Sequence, residues 1–588
     1  MLKTISHEVD FCVVGGGLAG MCAAIAAARA GKSVVLMQER PVLGGNASSE
    51  IRMWICGAQG ENNRETGIVE EINLESLYRN PYKIYSVWDS ILFGVVKKEQ
   101  NITLLLNTSA CDAEMEADKI KAVIGWQMTT QTWHHVSAKY FADCSGDSVL
   151  APLTHADYRI GREACEEFAE KTSIKTADKQ TMGLSCLIQA RKTDQDIEFI
   201  APVWAKKLTD EDIARRMPHM ESTSENFWYL ELGGDRDSIA DTEEIRDELV
   251  SLAFGYWDYF KNSGRFAGAE KWQLDFVGFL PGKRESRRMV GPYIMNQQDV
   301  LSGGHFDDVI AYGGWPLDDH DPRGFYHLGA PNVWGEMKNI YGIPYRVLYS
   351  ANVANLFFAG RNISMTHAAM SSSRVMMTCA VLGQAVGEAA AIATEYNTTP
   401  QGVYDFYLEE LQQRLMRADC FIPYLVRKAG AVTQKGTISG CENAENLRNG
   451  LDRNHSVYGS QENGVFAELG QAITYTFAEP TYVECAHIVF DSDLNRRTLP
   501  GDDAETYHSM RANIMPDSPK MHVPDTLVKE YILEMKLSDG SIRRENVTHN
   551  IKRMNEIVVD APVLAISLIP QKLWGGQARV HIFSFDLY

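Results

Sequence analysis

The chain has 588 residues, too many for one hydrophobic core, so two to four domains are expected. A formal net charge of −20, with no local run of Lys and Arg, argues against nucleic acid as a partner. No apolar stretch reaches the ~18 residues of a membrane span, and the first apolar run, residues 9–14, lacks a signal peptide's basic start and cleavage site, so a cytoplasmic location is expected. The 11 cysteines are scattered without a C-x-x-C pair. That spacing predicts no iron–sulfur cluster, no structural zinc, no disulfide framework and no metal.

Residues 9–14 read as a buried parallel strand that runs straight into G-G-G-L-A-G. Gly15 permits the tight turn, Gly17 lets the backbone approach a pyrophosphate, and Gly20 lets helix and strand pack closely. Leu18 and Ala19 open an alanine-rich helix whose N-terminus offers free N–H groups to an anion. Gly31 stops that helix, residues 33–37 form a second strand, and Glu39 follows where a ribose-binding acid belongs. Strand, glycine turn, helix, strand and acid in register predict dinucleotide binding. Next come Arg40 and the loop Gly44, Gly45, Asn46, Ala47, Ser48, whose backbone and side-chain donors suit a second anion contact.

Two later segments extend the pattern. One is Y-F-A-D-C-S-G-D at 140–147, with Ser145, Gly146 and Asp147 in its turn. The other is N-L-F-F-A-G-R at 355–361, with Gly360 and Arg361, continuing through His367, Ser373 and Val375 into a helix expected over 374–393. In that helix Gly383 and Gly387 fall on one face and allow close packing. Together these segments resemble FAD-dependent oxidoreductases of the fumarate reductase and succinate dehydrogenase flavoprotein type. More closely, the chain is similar to a bacterial FAD-dependent oxidoreductase family often found near carbohydrate-degradation genes. The resemblance covers roughly residues 5–395, with Cys144 and Ser145 replacing the family's usual Ala and Thr. It implies FAD, a Rossmann-type FAD-binding domain, and a helix N-terminus aimed at the flavin carbonyls. The S-H-T type element of the covalent members is missing after the first helix, so noncovalent FAD is expected.

The fold class expected is α/β: a Rossmann-type FAD-binding domain with an inserted α+β substrate domain, plus a C-terminal all-β sandwich. Residues 1–165 and 271–395 would form the FAD domain, 166–270 a substrate-capping insertion, and 396–440 a helical linker. Residues 441–588 alternate with turns between, and Ile473, Tyr475 and Phe477 would share one strand face. Pieces at 444–450 and 580–583 resemble galactose-binding-like sandwich domains.

Flavin chemistry needs a proton carrier and groups that polarise the reacting atoms. His320, in a loop with Asp318 and Asp319, is the first choice for acid–base work, and His367 follows the flavin strand. Arg52 and Arg288 could hold a carboxylate or the flavin, with Tyr345 a further polar candidate; ordinary salt bridges compete for both arginines. The leading expectation is oxidation of a sugar or glycoside hydroxyl, since Trp204, Trp228, Tyr229 and Trp257 in the insertion suit stacking on a sugar ring. Two alternatives stay open: reduction of an activated C=C bond in a carboxylic acid, and a carbohydrate-binding protein whose FAD is structural. The expected partner is a small-molecule substrate; the electron acceptor and self-association into a homo-oligomer are left open.

Overall fold

The computed structural model describes every residue except 1, 219–223, 336, 338, 497–507 and 515–519. The chain forms two compact units, one from Met1–Ala58, Tyr82–Leu411 and His508–Pro519, the other from Gln59–Pro81, Gln412–Tyr507 and Lys520–Tyr588.

In the first unit, β1 (Lys3–Val14), α1 (Leu18–Arg29), β2 (Val34–Met37) and β3 (Ile102–Leu105) build a parallel sheet. A meander of β4 (Thr108–Glu116), β5 (Lys119–Gln127) and β6 (Thr132–Asp143) extends it, giving the order β3-β2-β1-β6-β5-β4. The strand expected from residue 9 in fact begins at Lys3. Residues 3–8 alternate between exposed and half-buried and pair with the outer half of β6, so no continuous apolar run marks them. The inner half of β6 pairs in parallel with Leu356–Phe358. Val14 stands opposite both Met37 and Asp143, Asp143 opposite Phe358, and Met37 opposite Leu105. Five strands therefore end in register at one edge, where ligands bind in open parallel sheets.

Behind that edge α1 packs on the helix Met376–Tyr396. A Cβ on Gly383 would lie 1.9 Å from the Ala19 carbonyl oxygen, and one on Gly387 would lie 2.3 Å from that of Ala23. The two helices thus touch backbone to backbone, as the glycine spacing predicts. By length and composition Met376–Tyr396 could cross a membrane, unlike any stretch expected from the sequence; 89% of its apolar window is buried inside the protein. The helix expected over 374–393 runs over Met376–Tyr396; extended Val375 (φ −67°, ψ 144°) separates it from a short helix before it, His367–Ser373. The Cys56 carbonyl accepts from Met377 N–H at the start of the second.

In the insertion, Thr242–Asn262 lies against Trp272–Val277, which pairs antiparallel with Ile188–Lys192. Phe227 meets Tyr229, Tyr256 and Trp257 edge to face, and Phe260 lies tilted against Trp257, as its core. The second unit carries a separate, all-antiparallel sheet of seven strands at the C-terminal end of the chain. Ile473, Tyr475 and Phe477 are buried on one face of it, while Thr474 and Thr476 are not.

Replacing Gly383 with Val forces α1 away from its partner helix. Overpacking of this kind costs about 1–3 kcal/mol or more, so G383V should lower the urea midpoint clearly. An unchanged midpoint would show that the helices do not meet there.

Candidate functional site

The cradle starts from glycines. Gly15 adopts φ +104°, and a Cβ there would lie 2.4 Å from the Cys144 carbonyl carbon; a Cβ on Gly20 would lie 1.8 Å from the Gly15 oxygen. Gly17 caps α1 without a side-chain hydrogen bond, so the N–H groups of the first turn point outward unblocked. Over Gly17 the nearest atom to an added Cβ is Gly45 Cα, 4.0 Å away. The second glycine loop folds directly onto the first, with Gly44 N–H donating to Gly16 O at 2.8 Å. Gln38 holds the Gly16 N–H through its side-chain oxygen at 2.7 Å.

Around this cradle runs a cleft enclosing about 1200 Å³, lined by Gly15, Gly17, Leu18, Ala19, Glu39, Arg40, Gly44, Gly45, Asn46, Ser145, Gly146, Asp147, Gly360 and Arg361. These fourteen come from four separate stretches of sequence. The remaining predicted cofactor residues stand behind the wall. Gly20 serves helix packing; Ala47 O accepts from Trp88 Nε1, and Ser48 is fully buried in the same turn. Ser373 bonds Met365 Sδ, and Val375 forms the helix break. Sequence reasoning missed Gln38, Thr108, Arg374, Met376 and Cys379 in the wall. Only Arg374 carried a signal, a charged residue at the start of an otherwise apolar helix.

Several wall groups await a partner. Arg40 Nε and Nη1 are buried without a hydrogen bond, the closest carboxylates being Glu39 at 3.8 Å and Glu50 at 3.7 Å. Arg374 Nε and Asn362 Oδ1 are likewise unsatisfied, the latter 3.4 Å from where a Gly360 Cβ would be. Glycine-cleared backbone, open helix N–H groups and guanidinium N–H groups left without a hydrogen bond form the donor set that a dinucleotide pyrophosphate requires. Asp147 ties the wall together, accepting from Arg361, Lys283 and Ser286, each at 2.7 Å. Burial opposes its charge, yet Arg361 and Lys283 hold its carboxyl well below the usual range. Asp143 shapes the turn before it, taking the N–H groups of Ser145 and Leu150.

The catalytic candidates fall into two buried networks. His320 is not in a loop but on the strand Leu317–His320, paired with Asn332–Gly335. It is 2% exposed, with Nδ1 2.7 Å from Glu231 and Nε2 3.4 Å from Asp318. Arg284 stands 3.5 Å from Glu231, and Arg374 Nη2 donates to Asp318 at 2.9 Å. Burial alone would raise both carboxyls, but Arg284 and His320 lower Glu231, and His320 and Arg374 hold Asp318 far down. Arg374 is the link between this network and the cleft.

His367 belongs to the second network, with Nδ1 2.8 Å from Glu285 and Nε2 3.0 Å from Asp319. Burial opposes its charge, but the two carboxylates outweigh it and raise the imidazole to about 10. Arg288, 1% exposed, pairs with Glu285 and Glu163 and donates to the Met365 and Gly161 carbonyls, which leaves it a structural cation. Arg52, at φ +62°, lies between the Tyr85 and Phe276 rings and donates to Gln189. Tyr345 is fully buried and donates to Pro400 O. None of His320, His367, Arg288, Arg52 and Tyr345 lines the cleft. Glu231 went unread, although a lone carboxylate between Leu230 and Leu232 signals an inward charge.

Fold and cleft define a dinucleotide-binding enzyme of the flavoprotein class. The chain belongs to the FAD dependent oxidoreductase family, whose model matches residues 10–415, and FAD is its cofactor. A stretch of 44 residues, 8% of this chain, is 54% identical to NADH:acrylate oxidoreductase of Vibrio harveyi and spans only 4% of that protein's length. A geranylgeranyl bacteriochlorophyll reductase-like protein from Thermoplasma acidophilum is similar in structure, at 14% identity and TM-score 0.31, over 70% of this chain and 86% of that one. A quinol fumarate reductase from E. coli shares 11% identity at TM-score 0.27, over 76% and 78% of the two chains.

His367 gives a pH signature. Its folded value of about 10 lies above the ordinary 6.5, so its ion pairs stabilise the fold fully below pH 6.5 and are lost as pH rises through 10. The stability difference between the parent and H367Q, from urea unfolding, should shrink between pH 7 and 10.5. A difference constant over that range would refute the pairing.

Proposed function

We propose that this enzyme exchanges hydride with a small carboxylic acid, reducing an activated C=C bond or running the reverse oxidation, on noncovalently held FAD. One observation carries the reading: Arg374 lines the cofactor cleft with its Nε unpartnered while its Nη2 is wired through Asp318 to His320. When bound, FAD supplies the two-electron hydride chemistry. The planar guanidinium of Arg374 suits a carboxylate, which it can grip by two N–H groups. Hydride addition to one alkene carbon needs a proton at its neighbour. The line Asp318, His320, Glu231 holds titratable groups next to Arg374, with the His320 ring bridging two carboxylates, and supplies a path for that proton.

Oxidation of a sugar hydroxyl has less support. Both ring nitrogens of His320 face carboxylates rather than the cleft. The aromatic residues that suited sugar stacking mostly build the insertion's core, and Trp204 packs edge-on against Phe254. In the second unit, Ile473–Phe490 and Met554–Leu573 break register with each other partway along, bends that favour the β-sandwich reading of that sheet.

Noncovalent binding accords with a cleft wall that contains no histidine or tyrosine among the described residues, and whose two cysteines, Cys144 and Cys379, are buried, burial pushing the Cys144 thiol up and away from the reactive thiolate. Acid precipitation should release all of the flavin into the supernatant; colour retained in the pellet would refute it. The reaction itself is tested by reducing the enzyme chemically without oxygen and following the visible flavin band. Fumarate or acrylate should reoxidise it, and R374M should slow this about 100-fold or more with FAD retained. Bleaching of the oxidised enzyme by a sugar, with no response to either acid, would overturn the proposal.

A further inference from the structure

A second cavity, enclosing about 740 Å³, adjoins the cofactor cleft. Its wall comes from four stretches: Ile160, Lys179 to Thr181, residues 235–239, and Ser286 with Arg287. Ile239 and Arg287 line both cavities, so an occupant of the second would stand next to whatever fills the first.

The wall holds one buried polar group that the protein itself leaves unused. Thr181 is 1% exposed, and its Oγ1 is buried with no hydrogen-bond partner. A buried hydroxyl in that state is costly and marks a place where a ligand or water completes the site. Its backbone N–H is already engaged by Gly234 O at 2.8 Å, so only the side chain is left over. Arg287 donates to the carbonyls of Asp147 and Ser148 at 3.3 and 3.5 Å. Among the described residues neither Arg287 nor Lys179 has a carboxylate within ion-pair distance.

The rest of the wall is mixed in charge. Asp237 turns one carboxylate oxygen, Oδ1, to the N–H groups of Ile239 and Ala240, at 2.9 and 3.0 Å, and the other stays open. Arg236 pairs with Glu248. That leaves two cations, one buried hydroxyl and the exposed carboxylates of Asp235 and Asp237 on the wall.

From this donor set we infer a second ligand site that takes a small hydroxycarboxylate. The ligand's carboxylate would lie against Lys179 and Arg287, and its hydroxyl would serve Thr181 Oγ1 or Asp235. The site does not depend on Arg374 and goes beyond the reaction proposed above.

The test is calorimetric titration of the FAD-loaded enzyme with L-malate and with succinate, which differ by one hydroxyl. Malate should bind about tenfold or more tightly than succinate. T181V should remove that preference, and K179Q, at an exposed position, should weaken both acids about tenfold. In R374M malate binding should persist. Absence of malate binding, equal binding of both acids to the parent, or indifference to both T181V and K179Q would overturn the site. So would binding lost in R374M alone, which would place the acid in the cofactor cleft. Reoxidation of the flavin by fumarate is read separately, so failure of either idea leaves the other standing.

Discussion

Backbone must meet backbone at the carboxyl edge of the parallel sheet, and the rest of the structure is arranged around that contact. Gly20 lies against the Gly15 carbonyl, Gly15 against the Cys144 peptide, and Gly383 against the Ala19 carbonyl. With no side chains in between, α1 starts close enough to the strand ends for its unpaired N–H groups to face the cleft. The Gly44 loop then needs only one hydrogen bond to Gly16 to close the cradle from the other side. Any larger residue at these places would push the donors away from the ligand they serve.

Next to this sparse cradle the protein buries a dense set of charges. Asp318 and Asp319 are neighbours on one strand, so their side chains leave on opposite faces. Asp318 shares a face with His320 and reaches Arg374; Asp319 meets His367 on the other side. One dipeptide therefore feeds two ion networks. Buried pairs of this kind rarely add net stability over apolar packing, but losing one partner strands the other. That asymmetry favours a single arrangement of the cleft wall and fixes where Arg374 stands.

What the sequence revealed was what is local. The glycine turn, the second glycine pair, the 143–147 turn and Gly360 each announce themselves within a few residues, because each needs a special backbone at one point. The charge networks draw on Glu163, Glu231, Glu285, Asp318 and Arg374, whose proximity exists only after folding. Composition showed that the insertion is aromatic but not which way its rings face; most face inward, Trp204 being exposed. His320 read as a loop residue because glycines and aspartates surround it, while pairing with Asn332 makes it strand. The break at Val375 was hidden because no glycine or proline marks it, and the Met377 N–H has a partner in Cys56 that lies far away in the chain.

The long strand β6 has a consequence for how the molecule is made. Its outer half finds β5 at once, through a short turn, but its inner half must wait for Leu356–Phe358. During synthesis, Phe141 to Asp143 present an unpaired apolar edge while the whole insertion emerges, the exposure that invites wrong pairing. The cofactor cradle, which ends on that same edge, is complete only when the late strand arrives. A nascent chain cut short before residue 356 would therefore carry every glycine of the first motif and still lack a finished place to hold FAD.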